Sequence, residues 1–167
     1  MLGTDGIPTV VPHGVDDEAG VRHREVVLRP VTGWEEIRLA DLPLAARAAT
    51  TTSLLAACAV QVGGWRNLEE GVLRALTRGD RHHLLLVLYQ ALGGDTLPLV
   101  ARCPNPACRA LSDLEMRVSE LLAPRREAAP IVVTTSVGAV RVREPTGEDD
   151  EAVEPLPREL RAAALEE

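Results

Sequence analysis

The chain has 167 residues, which suits one domain and is too short for two of ordinary size. Acidic residues outnumber basic ones by 25 to 18, and the net charge of −7 argues against a nucleic-acid-binding protein, because such proteins present a basic face. We expect neither a membrane span nor a signal peptide, because no apolar run is long enough to span a membrane and residues 1–20 lack a basic region followed by an apolar stretch. The three cysteines, an odd number, favour a reducing cytoplasm.

Three parts are expected along the chain. Residues 1–20 contain four Gly and two Pro, a composition that buries little apolar surface and predicts a flexible N-terminal arm. Residues 21–150 are expected to form a single domain, because apolar periodicity and helix-capping signals recur throughout this stretch. Residues 151–167 are acidic and predict a weakly amphipathic C-terminal helix or tail.

The expected domain opens with a short apolar strand at 26–28. Thr32 and Glu35 follow with the spacing of a capping box, in which the threonine caps a helix and the glutamate bonds back to the cap. A short helix over 33–39 is therefore expected.

Three helices separated by glycines are predicted for the middle of the chain. The first covers 43–62, which is rich in Ala and Leu. The second is expected to begin after Asn67 as cap and to end at Gly79. The third is expected to be capped by Asp80 and to run to Leu92. It is apolar on nearly every side, which is typical of a central buried helix.

The pattern then changes to the alternation of β-strands. Residues 97–100 suit an edge strand, because Pro98 cannot donate to a neighbouring strand. Residues 113–118 alternate apolar and charged side chains and predict the second strand of a hairpin. A second hairpin is expected over 131–143. Together these elements predict an α+β fold with a central three-helix layer and two β-hairpins, one of which carries a Cys-Pro knuckle.

One internal repeat relates two of these regions. Residues 28–36 and 142–150 each contain the end of a strand, an arginine, a proline-bearing turn, a Thr-Gly pair and an acidic first helical turn. Strand-to-helix corners are commonly built in this way, so local capping alone accounts for the repeat. The alternative is a pseudo-symmetric pair of docking corners.

Two cysteines between the strands of the first hairpin form a C-P-x-P-x-C turn. Cys103 and Cys108 provide two thiolates, whereas a tetrahedral zinc ion needs four ligands. Cys58 with His82 or His83 completes a site only if the fold brings their helices beneath the turn. Cys58 lies in an apolar stretch where a thiol usually packs as a small hydrophobe. A metal-free turn is the other interpretation.

Motifs for catalysis are not found in this sequence. It contains no nucleophile elbow, phosphate-binding loop, dinucleotide fingerprint or His-Glu-x-x-His sequence. Acidic pairs such as those at 35–36 and 149–150 fall in predicted first helical turns, where they complement the helix dipole. We therefore expect a protein that is not an enzyme and needs no cofactor, apart from a structural zinc ion if the turn binds metal.

An ordered set of short motifs resembles a known family. Residues 76–86 read LTRGDRHHLLL, residues 94–97 read GDTL, a Cys-Pro turn and Asp113 follow, and an Arg-x-Pro-Thr-Gly corner ends at Gly147. In this order the motifs resemble the T4-like phage baseplate hub assembly chaperones, although the family's Cys-Pro turn is tighter. The resemblance implies a non-enzymatic role in building the baseplate or hub of a contractile phage tail or phage-like contractile injection system. Its expected partners are hub, spike or other tail proteins in the bacterial cytoplasm or within the assembled particle.

Candidate partner-binding residues follow from the predicted elements. Leu97 and Leu99 lie on the predicted edge strand, and Arg143 lies at the second corner, where its planar guanidinium suits an interface. The acidic C-terminal segment is a further candidate. A zinc-knuckle interaction adaptor unrelated to tails is the alternative function.

Overall fold

The computed structural model describes residues 6–41, 47–122, 131–136, 138–157 and 160–161. Within these ranges the chain is a mixed α/β protein with six helices and small antiparallel sheets. The strands are β1 (Ile7–Asp16), β2 (Arg22–Leu28), β3 (Ala59–Val62), β4 (Trp65–Arg66), β5 (Thr96–Arg102), β6 (Leu111–Arg117), β7 (Ile131–Thr135) and β8 (Gly138–Val142). The helices are α1 (Gly33–Ala40), α2 (Arg47–Cys58), α3 (Glu70–Ala75), α4 (Arg78–Gly93), α5 (Val118–Leu121) and α6 (Gly147–Val153).

The core lies between an antiparallel sheet and the helices packed on it. Strands β1, β2, β3 and β4 form the sheet in that order, and α4 packs against β1 while α2 contacts α3, α4 and α6. Burial of aliphatic side chains from both layers supplies the main stabilisation. The buried cluster consists of Val11, Val26, Leu28, Leu55, Cys58, Val62, Leu73, Leu76, Leu84, Val87 and Leu88.

The segment predicted as a flexible arm contains strand β1 instead, within its described residues 6–20. β1 pairs with β2 in antiparallel register, with Thr9 opposite Val26, and Val11 is completely buried. Proline is tolerated here because β1 is an edge strand, and Pro12 lies where the register shifts between Val10 and Val15. Residues 1–5 of the predicted arm lie outside the described residues.

The first two middle helices differ from their predicted bounds. α2 ends at Cys58 and the chain continues directly into β3, whose residues include Val60 and Val62. β-Branched valines suit this strand because it pairs with β2. Residues 42–46 lie outside the described residues. Asn67 does not cap α3; it adopts a φ of +60°, and Glu69 occupies the cap position.

The third middle helix is capped one turn earlier than expected. The N-cap of α4 is Thr77, whose Oγ1 accepts a hydrogen bond from the Asp80 backbone N–H over 3.1 Å. Asp80 is therefore a residue of the first helical turn, with its side chain completely buried. The helix ends at Gly93, and its buried side includes Leu84, Val87 and Leu88, while the residues 89–92 are exposed.

Of the remaining predictions for local structure, those for α1 and the two hairpins agree with the fold, and that for the C-terminal helix differs in its bounds. α1 and the hairpins β5–β6 and β7–β8 occur at the predicted places. α6 begins at Gly147 and ends at Val153, so the helix that was expected from residue 151 begins earlier and stops before Pro155. Residues 158–159 and 162–167 lie outside the described residues.

Candidate protein-binding site

The β5–β6 hairpin carries an apolar face on its own two-stranded sheet. Leu97 pairs with Met116 and Leu99 pairs with Leu114, and alternation along the strands places these four residues on one face. Leu99, Leu114 and Met116 are 36%, 47% and 39% exposed, whereas Leu97 is half-buried. This set, which we call the hairpin face, is an apolar surface available to a partner.

The opposite face of the same hairpin has a different chemistry. Val100 pairs with Asp113 and Pro98 pairs with Glu115, so carboxylates alternate with apolar groups there. Val100 is 67% exposed. The two faces therefore differ in charge while sharing one backbone, and only the hairpin face is free of charged side chains.

The root of the hairpin is held to α4 and α5 by Asp95. Its carboxylate accepts hydrogen bonds from the Ser119 backbone N–H and hydroxyl, both over 2.7 Å, and from the Gln90 amide over 3.0 Å. Its carbonyl accepts from the N–H of Val118, which is completely buried. The hydrogen bonds from Ser119 lower the pKa of Asp95 and keep the carboxylate ionised. The Gly-Asp-x-Leu motif thus fixes the direction in which the hairpin leaves the domain.

The tip of the hairpin contains Cys103 and Cys108. The Cys103 N–H donates to the Ala110 carbonyl over 2.8 Å, and the Asn105 carbonyl accepts from the Cys108 N–H over 3.0 Å. Cys103 is half-buried and Cys108 is exposed, and both are free thiols. Arg109 completes the turn with a φ of +49°. Backbone hydrogen bonds of the turn therefore shape this tip.

The other residues considered as zinc ligands lie elsewhere. Cys58 is completely buried in the core, where burial raises the pKa of its thiol. His83 Nε2 lies 2.9 Å from the Thr9 hydroxyl, and burial lowers the pKa of this histidine. His82 is exposed. Within the part of the chain that the structure describes, no group of three or more His, Cys, Asp or Glu side chains is placed to hold a metal ion.

The second hairpin leads to the predicted interface residue Arg143. Val133 pairs with Val140, and these valines with Val142 are 43–45% exposed. The Arg143 guanidinium donates to both carboxylate oxygens of Asp149 over 2.6 and 2.9 Å, which lowers the pKa of Asp149. Its side chain is still 68% exposed. Arg143 therefore stabilises the start of α6 and keeps an exposed side.

The Thr-Arg-Gly-Asp-Arg motif at 77–81 is used to assemble the domain. Asp80 is completely buried, and its carboxylate accepts hydrogen bonds from the backbone N–H groups of His13 and Gly14 over 2.8 and 3.0 Å. These bonds tie β1 to the first turn of α4. The two N–H groups also provide the hydrogen bonds that the buried, charged Asp80 side chain needs.

Arg81 connects the helices in the same way. Its guanidinium, 2% exposed as a residue, donates to the Ala48 carbonyl and to the Thr52 hydroxyl, both over 2.9 Å. The Thr52 hydroxyl also bonds to the carboxylate of Glu151 on α6. Burial lowers the pKa of Arg81, while Glu151 acts in the opposite direction. Every buried side-chain nitrogen and oxygen of the described residues has a partner.

A shallow cavity of about 210 Å³ lies between α1 and α2. It is lined by Glu35, Arg38, Leu39, Asp41, Ser53, Leu54 and Ala57. Glu35 is engaged by Arg29 and Thr32, which hold the pKa of its carboxyl well below the ordinary range. A carboxyl that stays ionised in this way is unsuited to donate a proton as a general acid.

Sequence reasoning named only part of the hairpin face. Leu97 and Leu99 were identified from the edge-strand pattern, whereas their partners Leu114 and Met116 were recognised only as the apolar side of a strand. The register of the hairpin brings the two pairs together. The strict alternation of residues 113–118 was the signal from which all four could have been assigned to one surface.

None of the helices in the described ranges is both long and apolar enough to cross a membrane. Comparisons with known proteins found no matching family model, no matching curated protein and no matching solved structure.

Proposed function

We propose that this chain is a non-enzymatic protein-binding subunit that acts through the hairpin face. The observation that carries the proposal is the set Leu97, Leu99, Leu114 and Met116 on one side of a hairpin with three exposed members. Apolar side chains grouped on an exposed strand pair suit burial against a partner, either face to face or by strand addition at the hairpin edge. The anchored root at Asp95 holds this surface in a fixed direction, which lowers the entropy cost of binding.

The partner we propose is a hub or spike protein of a contractile phage tail or phage-like contractile injection system. The support is the sequence resemblance of the ordered motifs at 76–86, 94–97 and 103–104 to the baseplate hub assembly chaperones. In this role the chain acts in the bacterial cytoplasm as an assembly chaperone, or stays in the particle as a small baseplate subunit. A chaperone would cover an apolar or edge-strand surface of its partner until assembly is complete.

The Cys-Pro turn belongs to this proposal as the tip of the binding hairpin. A zinc role for Cys103 and Cys108 needs two further ligands from another chain or from residues outside the described ranges. The zinc-knuckle adaptor therefore remains the second candidate function, and metal analysis separates it from the first.

The test is affinity purification of the tagged full-length chain from its native host, with sedimented tail-like particles analysed in parallel by quantitative mass spectrometry. Co-purification with free hub or spike protein and absence from particles is expected for a chaperone. A fixed ratio to hub proteins in particles is expected for a structural subunit. Absence of tail proteins from both fractions would refute the tail assignment.

Two matched variants test the hairpin face itself. Leu99→Asn changes the hairpin face, whereas Val100→Asn changes the adjacent residue on the opposite face of the same strand. Both side chains are exposed, and Val100 is the more exposed of the two, so both variants should fold. We expect Leu99→Asn to reduce recovery of the tail partner at least about tenfold, an effect typical of an interface hot spot, and Val100→Asn to leave it within about twofold. Equal recovery with both variants would show that binding uses another surface.

A further inference from the structure

Two strand-to-helix corners of this chain have the same internal geometry. In the α1 corner, residues 28–36, Arg29 donates to both carboxylate oxygens of Glu35 over 2.7 and 3.2 Å. In the α6 corner, residues 142–150, Arg143 donates in the same bidentate way to Asp149 over 2.6 and 2.9 Å. The N–H of the capping threonine bonds to the same carboxylate, over 2.9 Å in the α1 corner and 2.7 Å in the α6 corner. The repeat seen in the sequence is therefore a repeat in structure.

The backbone of the α6 corner is occupied by another part of the chain. The Arg78 N–H donates to the Pro145 carbonyl over 2.7 Å, and the Gly147 N–H donates to the Leu76 carbonyl over 3.1 Å. These two bonds form an isolated antiparallel bridge between Thr77 and Thr146. The segment bound to the α6 corner, which we call the occupant, is therefore the start of helix α4 with the residues just before it.

Two arginines of the same segment occupy the side-chain positions of the α6 corner. The Arg81 guanidinium fills the space that a β-carbon on Gly147 would need. Arg78 forms an ion pair with Asp150, donating from Nε to Oδ1 over 2.9 Å. Gly147 is buried as a result. The α6 corner thus binds the start of a helix through three features: backbone hydrogen bonds, the open side of a glycine, and a carboxylate. The bound segment carries two arginines three residues apart.

The α1 corner has the corresponding backbone groups, glycine and carboxylate, but no described segment of the chain is bound to them. Among the described residues, the Val31 carbonyl and the Gly33 N–H have no hydrogen-bond partner, and no atom lies within 4 Å of a β-carbon built on Gly33. Glu36, which aligns with Asp150, is exposed. Trp34 and Ile37 beside it are 75% and 60% exposed, a pair of large apolar groups one helical turn apart.

We propose that the α1 corner is a docking site for a partner protein's helix start that carries arginines at its first and fourth positions. One arginine would lie over Gly33 and the other would pair with Glu36, as Arg81 and Arg78 do in the α6 corner. Trp34 and Ile37 provide the apolar anchor beside these contacts, and tryptophan next to arginine is typical of interface hot spots and of cation–π contact.

The occupant must come from a different protein rather than from a second copy of this chain. The matching segment of this chain, residues 76–81, is already committed to the α6 corner through its backbone and both arginines. Complementary charge also favours a basic partner, because the net charge of this chain is −7. This site is separate from the hairpin face, so the inference does not depend on the proposed function.

The probe is an acetylated and amidated peptide with the sequence of residues 74–85, added to the full-length chain and followed by nuclear magnetic resonance. The two tryptophans give separate indole signals, and Trp34 reports on the α1 corner while the half-buried Trp65 serves as an internal control. We expect the resonances of the Trp34 indole and the Gly33 amide to shift as peptide is added and to saturate at about 0.1–1 mM peptide. This weak affinity is what one short segment is expected to give. A peptide carrying Arg78→Gln and Arg81→Gln should not produce these shifts.

Variants of the chain provide matched controls for the site. Gly33→Leu and Glu36→Arg should each weaken peptide binding at least about fivefold, whereas Glu18→Arg, a charge reversal at an exposed site of the β1–β2 turn, should not. Unchanged nuclear magnetic resonance signals from the core residues would show that all three variants are folded.

Three results would overturn the proposal: no shift of Trp34, equal binding of the glutamine peptide, or shifts at Gly147 instead of Gly33. Self-association of the free chain that Glu36→Arg abolishes would identify a second copy as the occupant and refute the choice of a different partner.

Discussion

The guanidinium of Arg81 lies directly against Gly147, in the space that a β-carbon there would occupy. This contact joins the first turn of α4 to the first turn of α6, and the same guanidinium reaches α2 through the Ala48 carbonyl and the Thr52 hydroxyl. The buried guanidinium of Arg81 therefore contacts three helices. Glycine suits position 147 because the guanidinium fills the space that any larger residue's side chain would need.

Gly147→Ala should destabilise the protein by about 3 kcal/mol or more, because the new methyl group displaces a buried arginine from its hydrogen bonds. Gly33 is the first residue of α1 in the same Thr-Gly context but has open space around it, so Gly33→Ala is the matched control. We expect that control to change the free energy of unfolding by less than about 0.5 kcal/mol, measured by urea denaturation. Equal stability of the two variants would contradict this account of Arg81.

Asp80→Asn should destabilise the domain by about 1–3 kcal/mol. The amide keeps one acceptor oxygen, so one of the partly buried N–H groups of His13 and Gly14 loses its acceptor. Asp113→Asn on the exposed hairpin strand is the control and should have little effect. Amide hydrogen exchange at Gly14 should accelerate only in the Asp80 variant, and an unchanged exchange rate would refute the role assigned to this carboxylate.

The parts of the fold that could be predicted from the sequence depend on neighbours within one helical turn or one hairpin. Thr32 is recognised as a cap from the sequence because Glu35 lies three residues away, and Thr146, which stands at the same place in the internal repeat, bonds to Asp149 in the same way. The two hairpins were found because alternation and turn residues are local signals.

The parts that were missed depend on distant residues. Segment β1 is a strand because β2 pairs with it and α4 packs against it, and its own composition contains no equivalent signal. Asp80 was expected to cap α4, yet its carboxylate accepts hydrogen bonds from two N–H groups of β1, 66 and 67 residues away in the chain. The occupancy of the α6 corner and the openness of the α1 corner also follow from tertiary placement, although their common sequence was visible.

Stability should fall in acid through the carboxylates at the two corners. Arg29 and Thr32 lower the pKa of Glu35 from its ordinary value of 4.5, and Arg143 lowers the pKa of Asp149 from 3.8. Between the folded and unfolded pKa values the unfolded chain binds more protons, so the free energy of unfolding rises with pH. This contribution is complete above about pH 5 and is lost as the pH falls through the folded pKa values.

The pH experiment has a matched pair of variants on the same segment. Arg29→Gln should flatten the acid dependence of the unfolding free energy, because the Glu35 pKa moves back toward its ordinary value. Arg38→Gln, an exposed arginine of α1, should preserve the slope of the natural sequence. Carbon-detected titration of the Glu35 carboxyl gives the pKa directly, and a normal value in the unaltered protein would contradict the prediction.

Replacing both hairpin cysteines should separate the two candidate functions. Cys103→Ser with Cys108→Ser should change the unfolding free energy by less than about 0.5 kcal/mol, because backbone bonds of Asn105 and Ala110 already hold the tip. Cys58→Ser is the contrasting variant and should cost about 1–3 kcal/mol, since it buries a hydroxyl in an aliphatic core. Stoichiometric zinc in the purified protein, together with unfolding on chelation, would instead favour the zinc-knuckle adaptor, because metal-held turns unfold when the ion is removed.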